Sequence, residues 1–265
     1  MNKAKEKLQA YLRKPGSLIL MLLVMLAALM TFLVLFFLIA YILIKGVPHL
    51  RPELFAFRYT TDNVSLMPAL LNTVIMTFFS LLIAVPLGIF SAIFLVEYSG
   101  KGNKFVDIIR ITTETLSGIP SIVYGLFGML FFVSALKWGF SLMAGAFTLA
   151  IMILPLIMRT TEEALKSVPD SYREGSFGLG AGKLRTVFRV VLPSAVPGIL
   201  AGIILAIGRI VGETAALIYT AGTVPELAAN PMDSGRTLAI HMYNLSNEAL
   251  YTNQAYATAV VLLVL

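Results

Sequence analysis

An all-α membrane protein with six spanning helices is the fold class that this sequence predicts, and three observations predict it. The 265 residues are 58% hydrophobic and 13% charged, against roughly half and a quarter in soluble domains. Mean hydropathy is +0.87, more apolar surface than a soluble fold can hide and what a bilayer accommodates. The apolar residues also fall in long blocks separated by shorter polar stretches. No cysteine is present, which excludes disulfides, thiolate metal sites and thiol catalysis. His49 and His241 are too few and too far apart for a metal cluster, so no cofactor is expected.

The first block settles the N-terminus. Lys3, Lys5, Lys7, Arg13 and Lys14 precede an apolar run, as in a signal peptide, but Leu18 to Ile44 is 27 residues, far beyond the roughly 7–15 of a cleavable apolar region. Residues 1–17 therefore read as a cytoplasmic tail, 18–44 as a retained first span and 45–65 as an extracytoplasmic segment. Five further apolar segments follow, at about Leu66–Val96, Ser117–Leu136, Gly139–Met158, Val196–Ala221 and Thr252–Leu265. The first four reach the ~20 residues that a spanning helix needs. The last has 14, about 21 Å of helix at 1.5 Å per residue, so the natural chain is expected to continue past Leu265.

Orientation follows from Lys and Arg. With the N-terminus inside, fourteen of them fall in cytoplasmic segments and five (Lys45, Arg51, Arg58, Lys137 and Arg236) outside, Arg209 lying within a span. The net charge of +6 thus belongs to cytoplasmic loops, and no nucleic-acid partner is expected. Only Lys137 and Trp138 join the third and fourth spans, which predicts a tight hairpin at the outer surface.

The cytoplasmic loop, residues 159–195, is the most structured connection. Leu184, Val187, Phe188 and Val191 recur at helical spacing, with Lys183, Arg185 and Arg189 on the opposite face. Pro169 suits the first turn of an earlier helix carrying Tyr172, Glu174 and Phe177. Between the two lies Gly178-Leu179-Gly180-Ala181-Gly182, which no continuous helix would choose. Two short helices joined by a glycine elbow can lie on the lipid surface or dock onto a partner.

The span Val196–Ala221 carries charge at depth. Arg209 is its fourteenth of 26 residues, with Glu213 one turn later and Thr214 beside it. A charge there costs at least ~2.5–3.5 kcal/mol and must face protein or water. The two can form a structural pair, or Arg209 can offer its two-pronged guanidinium to an oxyanion while Glu213 limits the affinity. Gly198-x-x-x-Gly202 and Gly208-x-x-x-Gly212 in the same span allow close helix packing.

The residues of the loop carry a resemblance. Glu174-Gly175-Ser176, three residues, Gly180, nine residues, Val190, one residue, then Leu192-Pro193 resembles the Glu-Ala-Ala motif of bacterial ABC importer permeases, with conservative departures at Gly175, Ser176 and Val190. Arg209-x-x-Gly212-Glu213-Thr214-Ala215, Leu116 to Gly128 with its Pro-Ser-Ile-Val-Tyr-Gly stretch, and Ala84-Val-Pro-Leu-Gly88 through Glu97-Tyr98 are similar to phosphate-specific ABC permeases of the PstA type. Asn72-Thr73 is common in ABC permeases generally. The resemblance implies a type I ABC importer permease fold with a cytoplasmic coupling-helix loop. It also implies a substrate path through Arg209, Glu213 and Thr214, and docking of an ATPase on Glu174, Gly175, Ser176, Gly180, Leu192 and Pro193. The partners that it implies are a second, PstC-type permease, a dimer of PstB-type ATP-binding subunits and an extracytoplasmic phosphate-binding protein. No G-x-x-x-x-G-K-[ST] loop is present, so ATP must bind elsewhere.

Other readings fit less of the chain. A membrane enzyme would need metal ligands, a Ser/His pair or clustered carboxylates, and neither H-E-x-x-H nor G-x-S-x-G occurs. An ion-coupled carrier could use a lone charge pair but leaves the elbow without a purpose. A permease for sulfate, molybdate or phosphonate would share the loop motif and not the Arg209 span.

Overall fold

A computed structural model describes residues 15–99 and 104–265, which form helices and no strand. The basic residues Lys3, Lys5, Lys7, Arg13, Lys14 and Lys101, and most of the predicted tail, lie outside the described residues. Among the described residues, four helical stretches are long and apolar enough to cross a membrane: Gly16–His49, Met67–Tyr98, Leu142–Lys166 and Lys183–Val211. A bent pair, Lys104–Ser117 with Ser121–Ala135, and the shorter Thr252–Val264 complete the set.

The first helix, α1 (Pro15–Gly46), is peripheral, with none of its most apolar stretch buried within the chain. Its end meets the last helix, where Gly46 lies so close to the Tyr256 carbonyl that no side chain would fit. α2 (Met67–Ile93) ends in a wider, π-helical turn, Phe94–Tyr98. α3 (Lys104–Ser117) is amphipathic, and α4 (Ser121–Gly128, widening through Met129–Ala135) leaves it at 100°. The apolar run expected from Ser117 as one span therefore starts at Ser121. Pro120 causes the break, because it has no N–H to donate and disfavours helical geometry at Ile119. The Tyr124 hydroxyl pins the bend by donating to the Leu116 carbonyl at 2.7 Å.

After the hairpin, Ser141 adopts extended geometry and accepts from the Ala144 N–H at 3.2 Å, capping α5 (Leu142–Lys166). α5 is the central helix, with 67% of its most apolar stretch buried. Gly88 of α2 admits Ile157, and two small residues of the following span admit Ala164 and Thr160, so two helices close onto α5. Met76, Leu149, Ile153, Ile157 and Ile210 fill the main core.

That following helix, α8 (Leu192–Val211), enters from two short elements, α6 (Asp170–Gly178) and α7 (Lys183–Thr186), through a π turn at Val187–Val191. Beyond it come one helical turn, α9 (Ala215–Ile218), then α10 (Leu238–Glu248) and α11 (Thr252–Val264). The Asn72-Thr73 pair explains how the segment before α10 is held. Asn72 donates to the Glu226 and Arg236 carbonyls at 3.1 and 3.3 Å and accepts from the Ala228 N–H at 3.2 Å. Thr73 accepts from the Leu238 N–H at 2.8 Å. His241, fully buried, meets the Tyr59 ring edge-on.

Candidate functional site

At one end of the bundle the elbow projects from the packed helices. Pro169 sits immediately before α6 as its cap rather than inside its first turn. The helix ends in a Schellman motif: Gly180 N–H donates to the Phe177 carbonyl at 2.9 Å and Ala181 N–H to the Ser176 carbonyl at 3.1 Å. That closure needs a left-handed residue, and Gly180 supplies it with φ +80°. The Ser176 and Thr186 hydroxyls meet at 2.8 Å and tie the two arms together.

The second arm differs from its expected single apolar face. Val187 and Val191 are buried, but Leu184 and Phe188 are exposed. A π turn takes more than four residues, so Val187 and Val191, four apart, share the inner face while Leu184 and Phe188 leave it. Pro193, which has no N–H, follows the last wide hydrogen bond, from Leu192 N–H to the Val187 carbonyl. Leu192 is half-buried there and Pro193 exposed.

The rest of the elbow is open. Glu174 and Gly175 are exposed, and a side chain at Gly175, Gly178, Gly180 or Gly182 would touch nothing within 4 Å. Leu179 at the tip is 91% exposed, and Tyr172, Phe177 and Leu184 of the same elbow are exposed as well. An apolar patch on a polar projection is a docking surface in kind.

The second group lies in the span, and here the helix is shorter than expected. The 26-residue segment breaks at Val211, where Gly212 ends α8 and Glu213 caps the next turn by accepting from the Ala216 N–H at 3.1 Å. Arg209 thus falls in the last turn of α8, where the helix macrodipole favours a cation.

The helix end also separates the three residues. Arg209 lines a cavity of about 570 Å³ together with Arg110, Glu114, Arg159, Glu162 and Lys166. Glu213, 9% exposed, lines neither this cavity nor the next. Thr214 opens onto a different groove, of about 740 Å³, with Gly208, Val211 and Tyr243. Gly208 and Gly212 face this groove unopposed, whereas Gly198 and Gly202 are packed against α5.

The cavity's charges are mostly spoken for. Glu162 holds Arg110 at 2.8 Å and Lys166 at 2.6 Å, and Glu163 holds Arg159 at 3.2 Å. Among the described residues Arg209 belongs to no ion pair, including none with Glu213. It is an electrostatic neighbour of Tyr124 on α4. Gly125, next along α4, touches the backbone of Ala215 and Ala216 so closely that only glycine fits. The stretch around Tyr124 and the stretch from Arg209 to Ala215 therefore meet in space.

Residues 84–265 match the family described as binding-protein-dependent transport system inner membrane component. The chain belongs to that family. A probable ABC transporter permease protein of Bacillus subtilis, YqgI, is 39% identical over 233 residues, 80% of this chain and 77% of that one. The phosphate transport system permease protein PstA of Haemophilus influenzae is 32% identical over 266 aligned residues, 98% and 93% of the two chains. A chain of a bacterial ABC transporter involved in the import of the acidic polysaccharide alginate shares the fold, with a TM-score of 0.58 at 18% identity over 97% of this chain and 95% of that one. The architecture is that of type I ABC importer permeases, and this family member is a multi-pass inner-membrane transport component.

Sequence reasoning missed two members of this region. The wall formed by α3, with Arg110 and Glu114, falls between the apolar segments and went without an element, although Val106, Ile109 and Thr113 sit on one helical face. The ion pair of Glu97 with Arg173 left no local signal, because 76 positions separate the partners.

Proposed function

We propose that this chain is the PstA-type permease subunit of an ATP-driven importer of inorganic phosphate. The observation that carries the reading is Arg209, which among the described residues makes no ion pair, on a cavity whose other charges, Glu114 apart, are paired. A guanidinium so placed offers a tetrahedral oxyanion two parallel donors. The dipole of α8, in whose last turn Arg209 sits, moderates its charge, and so favours release as well as binding. The PstA relative's name selects phosphate among the oxyanions.

The N-terminus and the elbow are cytoplasmic, as the Lys/Arg distribution favours. The exposed elbow, with Glu174, Gly175, Ser176 and Gly180 on its first arm and Leu192-Pro193 at the base of its second, seats one of two PstB-type ATP-binding subunits. ATP is hydrolysed there, and this chain catalyses no step. The open groove at Gly208, Gly212 and Thr214 faces a second, PstC-type permease, and the path lies between the two chains, with Arg209 on the adjoining cavity and Glu213 holding the turn that separates them. An extracytoplasmic phosphate-binding protein delivers the substrate.

The test is uptake of labelled phosphate by cells carrying the complete transporter, with unlabelled competitors. Excess phosphate is expected to suppress uptake, and excess sulfate or molybdate to leave it unchanged. Equal suppression by sulfate would overturn the phosphate assignment.

A further inference from the structure

One guanidinium fastens the elbow to the bundle. Arg173, on the inner side of α6, has a side chain 15% exposed, and it meets the Glu97 carboxylate, 8% exposed, in the π turn that ends α2. Nη2 donates to Glu97 Oε1 at 2.7 Å and Nε donates to the same oxygen at 3.1 Å. Nη2 also reaches the Leu165 carbonyl in the last turn of α5 at 3.0 Å, and Nη1 the Val168 carbonyl just past that helix at 2.8 Å. Asp170 accepts from Nη1 at 3.2 Å. A single side chain thus joins α6 to two of the long helices. The second arm is held at the next residue, where Lys183 Nζ lies 5.1 Å from the centre of the Tyr98 ring.

The other end of α2 is equally committed. Asn72 and Thr73 bind the backbone of Glu226, Ala228, Arg236 and Leu238, the segment leading into α10. α2 is therefore a rod with the elbow attached at one end and the far-side segment at the other. A buried ion pair adds little net stability over apolar packing, but it fixes the relative placement of the elements that carry it. Arg suits the task better than Lys, because its planar fork serves the carboxylate and two carbonyls together.

We infer that Glu97 and Arg173 are a coupling pair that makes the elbow and α2 move as one body, so that displacement of the elbow arrives at the segment held by Asn72 and Thr73. The inference rests on the elbow being the ATPase dock. Neither residue touches substrate or nucleotide; both are positioning residues.

The experiment uses the complete complex with its binding protein in lipid vesicles. In Arg173→Gln the ATPase subunit is expected to co-purify and receptor-independent hydrolysis to stay within about twofold, while phosphate moved per ATP hydrolysed falls roughly tenfold. Because the chain has no cysteine, a Glu97→Cys, Arg173→Cys double variant can be rejoined with a short bifunctional thiol reagent, the other subunits being freed of accessible thiols. Rejoining is expected to restore the transport-to-hydrolysis ratio. An unchanged ratio in Arg173→Gln, loss of the ATPase from that variant, or a ratio that falls further on rejoining would each overturn the coupling pair. Glu174→Lys separates this from the underlying reading: if it leaves both ATPase binding and substrate-stimulated hydrolysis intact, the dock itself is wrong and the coupling pair goes with it.

Discussion

Arg209→Gln is expected to abolish phosphate uptake while leaving the protein in the membrane in normal amount. Glutamine keeps two hydrogen-bonding groups and much of the reach, but loses the charge and the two-pronged fork. A charge-assisted bidentate contact of this kind is worth about 3 kcal/mol, or more than about a hundredfold in affinity or rate. Assembly should survive, because the packing face of α8 is carried by Gly198, Gly202, Ala206 and Ile210, and Arg209 makes no ion pair among the described residues that the change would break. Removing a charge at depth also lowers the insertion penalty. Labelled-phosphate uptake, normalised to the amount of chain in isolated membranes, checks this directly. Normal uptake would remove Arg209 from the path.

Gly180→Val has the second-largest expected effect, and it should act at the other site. With φ at +80° the position favours glycine, and a β-branched residue there costs roughly 1–2 kcal/mol or more in backbone strain. Nothing lies within 4 Å of where the new side chain begins, so the strain stays in the turn and the membrane helices should assemble. What changes is the angle between α6 and α7, and with it the shape offered to the ATPase. Glu174→Lys is the companion without a backbone effect, since Glu174 is exposed and makes no ion pair among the described residues. Both variants should lose co-purification of the ATPase or its substrate-stimulated hydrolysis. Stimulated hydrolysis at the wild-type rate would argue against docking on this surface.

The two sites were legible in the sequence to different degrees, for a physical reason. The elbow is local: two helical patterns and five residues with three glycines between them determine the turn, and the structure places Gly180 at the left-handed position that such a turn needs. Ser176 is small because it faces Thr186 across the turn, a relation within ten positions. The Arg209 region is not local. Ala215 to Ala221 continues the apolar character of α8, so hydropathy sees one span where the backbone stops at Val211. Gly212 and the self-capping Glu213 were the available signal, and reading Arg209 and Glu213 as an i, i+4 pair on one helix kept Arg209, Glu213 and Thr214 together in one continuous span. The break sends Arg209 to the cavity beside α5, turns Glu213 onto the backbone, and opens Thr214 toward the groove. α3 escaped notice because its mean apolarity is low, and Glu97 with Arg173 because only the tertiary fold brings them together. The long spans themselves were plain from composition, since nothing but a bilayer accommodates so much apolar surface as α1 leaves uncovered.

The most direct test of the central claim is ATP hydrolysis by the reconstituted complex with its binding protein, measured with phosphate, sulfate and molybdate in turn. Stimulation by phosphate alone is the predicted result, because it requires both a working dock on the elbow and an oxyanion path selective for phosphate. Stimulation by another of these anions would contradict the phosphate assignment while leaving the ABC importer architecture in place, and hydrolysis indifferent to all three would contradict the coupling of this chain to nucleotide.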